Sequence, residues 1–558
     1  MIKKRIETLR KKFDEFDIDG YVIPKNDEFF SEYAQKDRLK IISNFTGSAG
    51  FAIILKKKNY LFVDGRYTIQ AKIESGDFFK IVSYEKLVNC KLFKNIKLGI
   101  DPSLFTSSQV SNFFLKFNNV KKIETNLIDT IFNKYSINSK KFFSLSKNVV
   151  GEGHNSKIRK VSSYLRKNKS NYIFISAPEN VAWLLNIRGY DNPNSPIPNC
   201  RLFLSADKKI FLVAEINKVK KLIQEKKISK KRLIDPKKFG LFINGLKKGK
   251  VIIDYRTCSI FYESILRKKF KILNKEDPIY LLKSIKNNNE INNMISSHLF
   301  DGVALTKFIY WIQVLNKKKI SEIDAQKKLE KFRKRNKQYL YPSFNTIAGS
   351  GANGAIVHYR AKKGNEKIIN KKDIFLCDSG GQYKYGTTDV TRTLCFSQPK
   401  KYIKDIFTKV LKGHIAVATS NLKTHFNGKL IDIRARKYLK KSGLDYAHGT
   451  GHGVGFFSNV HEGPQAISKF NSIRFKEGMI VSNEPGFYKK GKFGIRIENL
   501  VYVKKFKKKL FFENLTLAPI DRKLINFKLL SSHEQNYLFK YITHCFVHSK
   551  VTCTVCSK

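Results

Sequence analysis

Two aspartates flank a glycine-rich turn in the segment IFLCDSGGQYKYGTTDVTRTLCF, residues 374–396. Asp378 ends the first apolar stretch, and Asp389 begins the second. This pattern predicts a β-hairpin whose paired strands bring the two carboxylates together. Because two buried carboxylates repel each other, a positive group such as a divalent metal must lie between them. On this segment alone, aspartates that cap a turn are the simpler interpretation.

Histidines gather further along, in the segment HGTGHGVGFFSNVHEGP, residues 448–464. His448, His452 and His461 fall within this short stretch, although the whole chain has only 11 histidines. Glycines alternate through it, so the backbone is able to pass very close to another group. A lone histidine is usually a core or surface residue, whereas a cluster in a glycine-rich loop indicates metal ligands or acid–base groups.

Two glutamates occur in the segment VSNEPGFYKKGKFGIRIENLV, residues 481–501. Glu484 precedes a Pro-Gly turn, and Glu498 follows Arg496 at a spacing of two in the alternating sequence IRIE. A strand would therefore place Arg496 and Glu498 on one face. Burying a glutamate without a partner is costly, so Glu498 needs either a metal or Arg496 alone as its partner.

The sequence predicts a two-metal hydrolase. Five side chains, four of them carboxylates, form a ligand set that suits a pair of hard or borderline divalent ions. Two such metals about 3.5–4 Å apart hold a hydroxide between them that attacks a substrate. The predicted ligands are Asp378, Asp389, His452, Glu484 and Glu498.

Three blocks of sequence must position these residues, which predicts a protein of the α/β (α+β) class. Residues 1–150 and 151–282 both mix short strand-like stretches with helical patterns, and we expect two α/β domains. The strand-like stretches are GYVIP (20–24), GFAIIL (50–55), YLFVDGRY (60–67), NYIFISA (171–177) and KKIFLVAE (208–215). Residues 283–558 open with two long helical patterns, and after residue 341 they carry nearly all the candidate residues.

Composition narrows the classes of function. The 558-residue chain has a formal net charge of +61. Because the positive residues are spread along the whole sequence, we interpret the charge as a bias in composition and not as a nucleic-acid-binding surface. No apolar run approaches the roughly 18 residues of a membrane span. The charged N-terminus lacks the apolar core of a secretory signal, and the eight cysteines form no disulfide framework, so we expect a cytoplasmic protein.

At these residues the chain resembles the pita-bread metallopeptidases, and within them the three-domain cytosolic-type aminopeptidase P subfamily. The similarity covers almost the whole chain. It implies two α/β N-terminal domains followed by a C-terminal pita-bread catalytic domain, and removal of an N-terminal residue that precedes proline. The motifs that carry it are 31–55, LFVDGRYTIQA (61–71), NVAWLLNIRG (180–189), NTIAGSGANGAIVHYR (345–360), 449–464 and 482–500.

The resemblance also implies residue roles. Asp378 would hold one metal, His452 would hold the other with Glu484, and Asp389 and Glu498 would bridge the two metals. Glu484 would also take the proton from the attacking water. His358 and His461 would bind the substrate and supply hydrogen bonds near the tetrahedral intermediate. His448 would line the proline pocket, and Arg496 would orient the carboxylates.

The family's usual metal is manganese, with zinc or cobalt as alternatives, and its usual assembly is a homodimer. Peptides with proline at the second position are the expected substrates, and we expect no specific nucleic-acid or membrane partner. Two alternatives stay open: a prolidase that cleaves only Xaa-Pro dipeptides, and a non-catalytic pita-bread binding protein.

Two features depart from the family. Asn44 stands where a glycine is more usual, and the tail from His544 is unlike the family. The tail contains His548, Cys545 and a pair, Cys553 and Cys556, at metal-ligand spacing, but a frayed C-terminus is the preferred interpretation of it.

Overall fold

The structure, a computed structural model, describes residues 2–84, 95–113, 118–132, 140–316 and 318–555. These residues form two compact units. Unit 1 comprises residues 1–147 and 152–279, and unit 2 comprises residues 148–151 and 280–558. The predicted division into domains at 150/151 and 282/283 stays a prediction. Within the described residues, no helix combines the length and the apolar character needed to cross a membrane.

The first part of unit 1 contains a six-stranded mixed sheet with short helices beside it. In spatial order its strands are β4, β3, β2, β1, β5 and β6. The strands are β1 Gly20–Pro24, β2 Phe51–Leu55, β3 Asn59–Val63, β4 Lys80–Ser83, β5 Ile96–Ile100 and β6 Asn118–Lys122. The helices are α1 Ile2–Arg10, α2 Arg38–Ser43, α3 Thr68–Ser75, α4 Ser107–Phe113 and α5 Leu127–Ile131, with a 3-10 turn at Gly76–Phe78.

A second six-stranded sheet follows, after a short pair of strands, β7 Phe143–Ser144 and β9 Ile187–Arg188. Its spatial order is β12, β11, β10, β8, β13 and β14. The strands are β8 Tyr172–Ile175, β10 Arg201–Ser205, β11 Ile210–Val213, β12 Leu233–Ile234, β13 Gly249–Ile253 and β14 Phe270–Asn274. Its helices are α7 His154–Lys167, α8 Pro178–Leu185, α9 Ile216–Gln224, α10 Phe239–Asn244 and α11 Ile260–Arg267, with 3-10 turns at Lys230–Arg232 and Pro236–Lys238. Two short helices, α6 Lys147–Val150 and α12 Ile279–Ser284, lie almost entirely in unit 2.

The two sheets share one topology. In each, the first strand pairs antiparallel with the second and parallel with the fifth, and the fifth pairs parallel with the sixth. The α/β character predicted for both blocks is therefore confirmed. All five predicted strand segments contain a strand. In the segment 60–67, however, the strand ends at Val63, and the chain continues as a turn.

The two predicted long helices lie in the first part of unit 2, after the short helix α12. Asn287 and Ser321 each form a capping box: the side chain accepts from the backbone N–H three residues on, and the backbone N–H of the cap residue donates to the side chain of that same residue. The helices are α13 Asn288–Tyr310, which continues as a π-helical turn at Trp311–Leu315, and α14 Glu322–Arg333; later helices are α15 Lys401–Ala418, α16 Gly428–Lys440 and α17 Ser532–Val555. Further 3-10 turns lie at Gly351–Ala355, Arg522–Leu524 and Phe527–Leu529.

Four small sheets complete unit 2. Their strand orders are β15-β18-β19, β16-β17-β20, β22-β21-β23-β26-β27 and β24-β25. The strands are β15 Tyr339–Pro342, β16 Ile347–Ser350, β17 Ile374–Ser379, β18 Gly381–Tyr383, β19 Gly386–Thr387, β20 Val390–Cys395, β21 Gly451–Gly453, β22 Glu462–Ile467, β23 Ile480–Asn483, β24 Gly486–Lys489, β25 Phe493–Arg496, β26 Asn499–Phe506 and β27 Lys509–Asn514.

Helix pairs cover one face of the two larger sheet groups. Helices α13 and α14 pack on β16, β17 and β20, and Phe375 and Cys377 of β17 belong to that core. Helices α15 and α16 pack on β22, β23, β26 and β27, and Val481 of β23 belongs to that core. Because side chains alternate along a strand, Asp378 and Ser482 point to the opposite faces, away from the helices.

One predicted element is wrong in detail. The alternating sequence IRIE predicts an unbroken strand through Glu498, but β25 ends at Arg496 and β26 begins at Asn499. Arg496 pairs with Gly486 of β24, whereas Asn499 pairs with Asn483 of β23, so the chain passes from one sheet to another at Ile497 and Glu498. Local periodicity cannot reveal such a change of sheet.

Candidate metal centre

The five predicted ligands lie in short strands of unit 2 or directly beside strands of that unit. Asp378 belongs to β17, and Asp389 immediately precedes β20, the antiparallel partner of β17. His452 is the middle residue of β21, Glu484 follows β23, and Glu498 precedes β26. The predicted hairpin is therefore present, with β18 and β19 forming a second, smaller hairpin inside its turn.

His452 stands between two carboxylates. Its Nε2 lies 3.5 Å from Asp389 Oδ2 and 3.5 Å from Glu484 Oε1. Its Nδ1 lies 2.9 Å from the Gly453 carbonyl oxygen, which can only accept, so Nδ1 donates to that oxygen and Nε2 faces the two carboxylates. One ligand atom each of Asp389, His452 and Glu498 lie within 4.8 Å of one another. This arrangement is typical of side chains that share a metal.

Neighbouring side chains fix the orientation of the carboxylates. Arg496 Nη2 donates to Asp378 Oδ2 at 2.5 Å, and its Nε donates to Thr391 Oγ1 at 3.0 Å. Thr391 in turn donates to Glu498 Oε2 at 2.7 Å, so one guanidinium orders both acids. On the opposite side, Ser482 donates to Glu484 Oε1 at 3.0 Å and accepts from the backbone N–H of His452.

The electrostatics of the cluster require further positive charge. Burial, reinforced by the neighbouring carboxylates, raises the pKa values of Asp389 and Glu498 well above their ordinary range. Asp378 Oδ1 is buried and has no hydrogen-bond partner among the described residues. Arg496 balances one of the four carboxylate charges. The donor set of carboxylate oxygens and one imidazole nitrogen therefore fits two divalent cations, which would more than offset the three negative charges that remain.

The three other histidines differ in their surroundings. The His461 ring meets the His452 ring edge-on, with centroids 4.3 Å apart. His448 donates from Nδ1 to the Gly449 carbonyl oxygen and accepts from Tyr488 at Nε2. His358 lies half-buried in a turn after the 3-10 turn Gly351–Ala355. That turn packs against β25, because Gly354 and Gly494 are so close that a side chain at Gly494 would collide with the Gly354 carbonyl.

Two residues at the site were not predicted. Tyr488 accepts from Arg496 Nη1 at 2.7 Å, and 2.8 Å separates its hydroxyl from His448 Nε2, so it links the carboxylate cluster to His448. Glu322, fully buried at the start of α14, accepts hydrogen bonds from the segment that carries His358. For Tyr488 the sequence offered only its place four residues after Glu484, and for Glu322 only its place beside a helix cap.

Sheets backed by helix pairs, together with a buried cluster of carboxylates and a histidine, define a metal-dependent hydrolase. Comparison with known proteins makes this specific. Residues 292–505 match the model of metallopeptidase family M24, and residues 508–551 match the C-terminal region of that family. Residues 5–130 and 133–290 match two creatinase/prolidase N-terminal domain models. The chain belongs to metallopeptidase family M24.

Similar proteins extend over nearly the full chain. The chain is 36% identical to Xaa-Pro aminopeptidase 1 of Dictyostelium discoideum, over 97% of this chain and 92% of that protein. It is 34% identical to a probable Xaa-Pro aminopeptidase P of Laccaria bicolor, over 96% and 89% respectively. The crystal structure of a Caenorhabditis elegans X-prolyl aminopeptidase, described as a cytosolic enzyme with a di-nuclear active site, superposes with a TM-score of 0.92 at 28% identity, covering 99% of this chain and 97% of that one.

A prolidase from Pyrococcus furiosus is similar over a smaller part, with a TM-score of 0.52 and 25% identity, covering 64% of this chain and 99% of that one. The predicted fold, with two α/β N-terminal domains and a C-terminal pita-bread domain, is confirmed, as is the assignment to the metallopeptidases. The statement that the tail departs from the family from His544 is wrong as far as residue 551. Cys556 lies outside the described residues, as do the side chains of His548 and Cys553.

Proposed function

We propose that this protein is a metal-dependent aminopeptidase that hydrolyses the N-terminal Xaa-Pro bond of peptides. The observation that carries the proposal is the cluster of Asp378, Asp389, His452, Glu484 and Glu498, within a chain similar over nearly its whole length to proteins named Xaa-Pro aminopeptidases. A binding protein that had lost catalysis would have no need of four mutually repelling carboxylates.

The five clustered residues would hold two divalent cations, which when bound polarise the scissile carbonyl and make water a stronger nucleophile. Glu484 is placed to accept a proton, because its Oε1 faces His452 and Ser482 at the less buried side of the cluster. Asp389 and Glu498, which are buried and within ligand distance of each other and of His452, would be shared by the two cations. Arg496 would keep Asp378 aimed at the cluster.

The histidines would serve the substrate. We propose that His358 and His461 donate hydrogen bonds to the oxyanion that forms from the scissile carbonyl. The ring contact between His461 and His452 keeps His461 beside the cluster. His448 would line the proline pocket, where Tyr446 and Tyr488 add apolar ring surface: their centroids lie 4.9 and 5.4 Å from the His448 ring.

The chemistry suits a bond that many peptidases cannot cleave. An Xaa-Pro bond is a tertiary amide without an N–H, and the proline ring fixes its backbone. A catalyst that activates water and polarises the carbonyl does not require that N–H. A substrate amine bound near the carboxylates would restrict cleavage to the first residue.

Four finer assignments belong to the same proposal. We propose manganese as the metal, with zinc and cobalt as alternatives that the mixed oxygen and nitrogen donor set also accepts. We propose a cytoplasmic location, supported by the relative described as cytosolic and by the free cysteines among the described residues. Domains at 1–150, 151–282 and 283–558 are proposed from the sequence. No specific nucleic-acid or membrane partner is proposed.

The fourth assignment is a homodimer formed through α17. One side of this helix is buried through Leu538 and Tyr541, whereas Phe539, Phe546 and Val547 are 71%, 63% and 51% exposed. Exposed apolar side chains on a helix whose opposite face is packed are typical of an interface. A second copy of this chain, meeting the same face across a two-fold axis, is the proposed occupant.

A prolidase is the second candidate, favoured by the partial similarity to the Pyrococcus furiosus enzyme. Peptide length separates the two activities. We expect release of the first residue from an Xaa-Pro-Xaa tripeptide and from longer peptides, with a kcat/KM at least equal to that for the Xaa-Pro dipeptide. Cleavage of the dipeptide alone would replace the aminopeptidase proposal with a prolidase.

A further inference from the structure

A buried cluster of three ionic groups lies beside the candidate metal centre, and the proposed mechanism does not use it. Glu462, which directly follows His461, forms ion pairs with two lysines. Its Oε2 lies 2.8 Å from Lys283 Nζ, and its Oε1 lies 2.7 Å from Lys286 Nζ. Their side chains are only 2%, 3% and 0% exposed for Glu462, Lys283 and Lys286. We call these three residues the lysine clamp.

The lysine clamp is attached to both histidine-bearing segments of the centre. Glu462 is the cross-strand partner of Gly453 in the β21–β22 pair. Gly453 directly follows His452, and Glu462 directly follows His461. Each of the two histidines is therefore the chain neighbour of one member of the Gly453–Glu462 pair. The pair is tightly packed, because a side chain at Gly453 would lie 2.1 Å from the Glu462 carbonyl oxygen. A displacement of Glu462 must therefore move His461 and His452 together.

The lysines are fixed at their own end. Lys286 donates its backbone N–H to the Gly478 carbonyl oxygen at 3.1 Å. Gly478 has φ +84, and a side chain there would lie 2.2 Å from the Lys286 carbonyl oxygen. Gly478 stands two residues before β23, the strand that leads to Glu484. The lysine clamp thus joins the segment before Glu484 to the segments that carry His452 and His461.

The energetics favour a positioning role over a stabilising one. Burial alone would raise the pKa of the Glu462 carboxyl, but the two ammonium groups hold it below its ordinary range. Burial lowers the pKa of the Lys286 ammonium. Buried ion clusters seldom stabilise a fold better than apolar side chains of equal size, whereas their directional bonds select one geometry. Two cations on one carboxylate hold both of its oxygens, so the carboxylate cannot rotate.

We propose that Lys283, Lys286 and Glu462 are positioning residues that hold the His461 and His452 rings in register with Glu484 for the reaction of the metal centre. The inference rests on the proposed aminopeptidase function. The clamp acts through the β21–β22 pair and touches neither substrate nor metal.

The test compares Lys286→Met, Glu462→Gln and the double variant in the full-length, manganese-loaded protein. We expect each single variant to lower kcat for an Xaa-Pro-Xaa tripeptide by at least about tenfold, because small misplacements of catalytic groups are costly. KM should change by less than about threefold, and the double variant should be no slower than the slower single one, since all three break the same clamp.

The matched control is Lys412→Met. It removes the ion pair between Lys412 and Glu534, a partly buried pair in unit 2 that lies outside the clamp. It should lower the urea midpoint of unfolding and leave kcat unchanged. If Lys286→Met does not fold, Lys283→Met replaces it and leaves Glu462 a single lysine. Single variants that lose stability as Lys412→Met does but keep full kcat would overturn the inference, as would losses that multiply in the double variant.

Manganese affinity, measured by calorimetry, separates failure of this inference from failure of the proposed function. Because His452 moves with the clamp, Lys286→Met should weaken manganese binding several-fold, and Lys412→Met should not. A wild-type protein that cleaves no Xaa-Pro peptide would refute the aminopeptidase function, and the affinity comparison would still decide the clamp. Unchanged affinity together with unchanged kcat would overturn the clamp alone.

Discussion

Replacing Glu322 by glutamine should disturb the segment that carries His358 while leaving the carboxylate cluster intact. The Glu322 carboxylate is fully buried and faces only donors in the described structure. Oε1 accepts from Ser350 N at 2.8 Å and from Asn353 Nδ2 at 3.0 Å, and Oε2 accepts from Tyr359 Oη at 2.8 Å and from Lys367 N at 3.0 Å. Tyr359 directly follows His358.

The magnitude follows from these contacts. Glutamine keeps one acceptor oxygen but turns an NH2 group towards the partners of the other oxygen. The Tyr359 hydroxyl can reverse and accept from it, whereas the backbone N–H of Lys367 cannot. Losing one such bond and the charge on the acceptor should cost about 2 kcal/mol of unfolding free energy. A looser His358 should lower kcat about ten- to a hundredfold.

The assay is steady-state cleavage of an Xaa-Pro-Xaa tripeptide beside urea unfolding of the same samples. Ser321→Ala is the matched control, because it removes the N-cap of the same helix, at about 1 kcal/mol, without removing a bond to the His358 segment. We expect Glu322→Gln to lose both stability and kcat, and Ser321→Ala to lose stability alone. Equal kcat values in the two variants would refute a role for Glu322 in placing His358.

Three further predictions follow. Tyr488→Phe should raise KM for the tripeptide about tenfold by freeing the His448 ring, and an unchanged KM would exclude this link. In metal-free protein the raised pKa values of Asp389 and Glu498 mean that the folded state binds more protons than the unfolded state. The urea midpoint of the metal-free protein should therefore fall as pH rises above about 4. Binding of manganese should release protons into a weak buffer, and proton uptake on binding would contradict the raised pKa values. Phe546→Asp should shift the protein to a monomer in sedimentation velocity; an unshifted dimer would place the interface elsewhere.

The parts of the centre set by local patterns were predictable. Asp378 and Asp389 flank a turn between two apolar stretches, so strand pairing brings their strands together in the structure as the sequence indicates. In the structure, strand alternation places Asp378 on the face away from α13 and α14. The alternation failed at Glu498, because the change of sheet at Ile497 depends on contacts with β23 and β24 that are remote in sequence.

The residues that support the centre carried no local signal. Lys286 is one of 107 lysines and arginines, and its partner Glu462 lies 176 positions away. The hydrogen bond between Glu322 and Tyr359 also joins residues far apart in the chain. Such partners become visible only once the fold has placed them, because burial and hydrogen-bond satisfaction belong to the tertiary structure.

The most direct test of the account is release of the N-terminal residue from an Arg-Pro-Pro tripeptide by metal-stripped protein during titration with manganese. We expect no release without metal, activity that saturates near two equivalents of manganese, and loss of activity in Asp389→Ala. The control variant is Asp521→Asn. Asp521 lies in unit 2 outside the cluster and accepts from the backbone N–H of Cys395, so this variant should remain active. Release that does not depend on metal, or a folded protein that remains inactive with every divalent metal, would contradict the account.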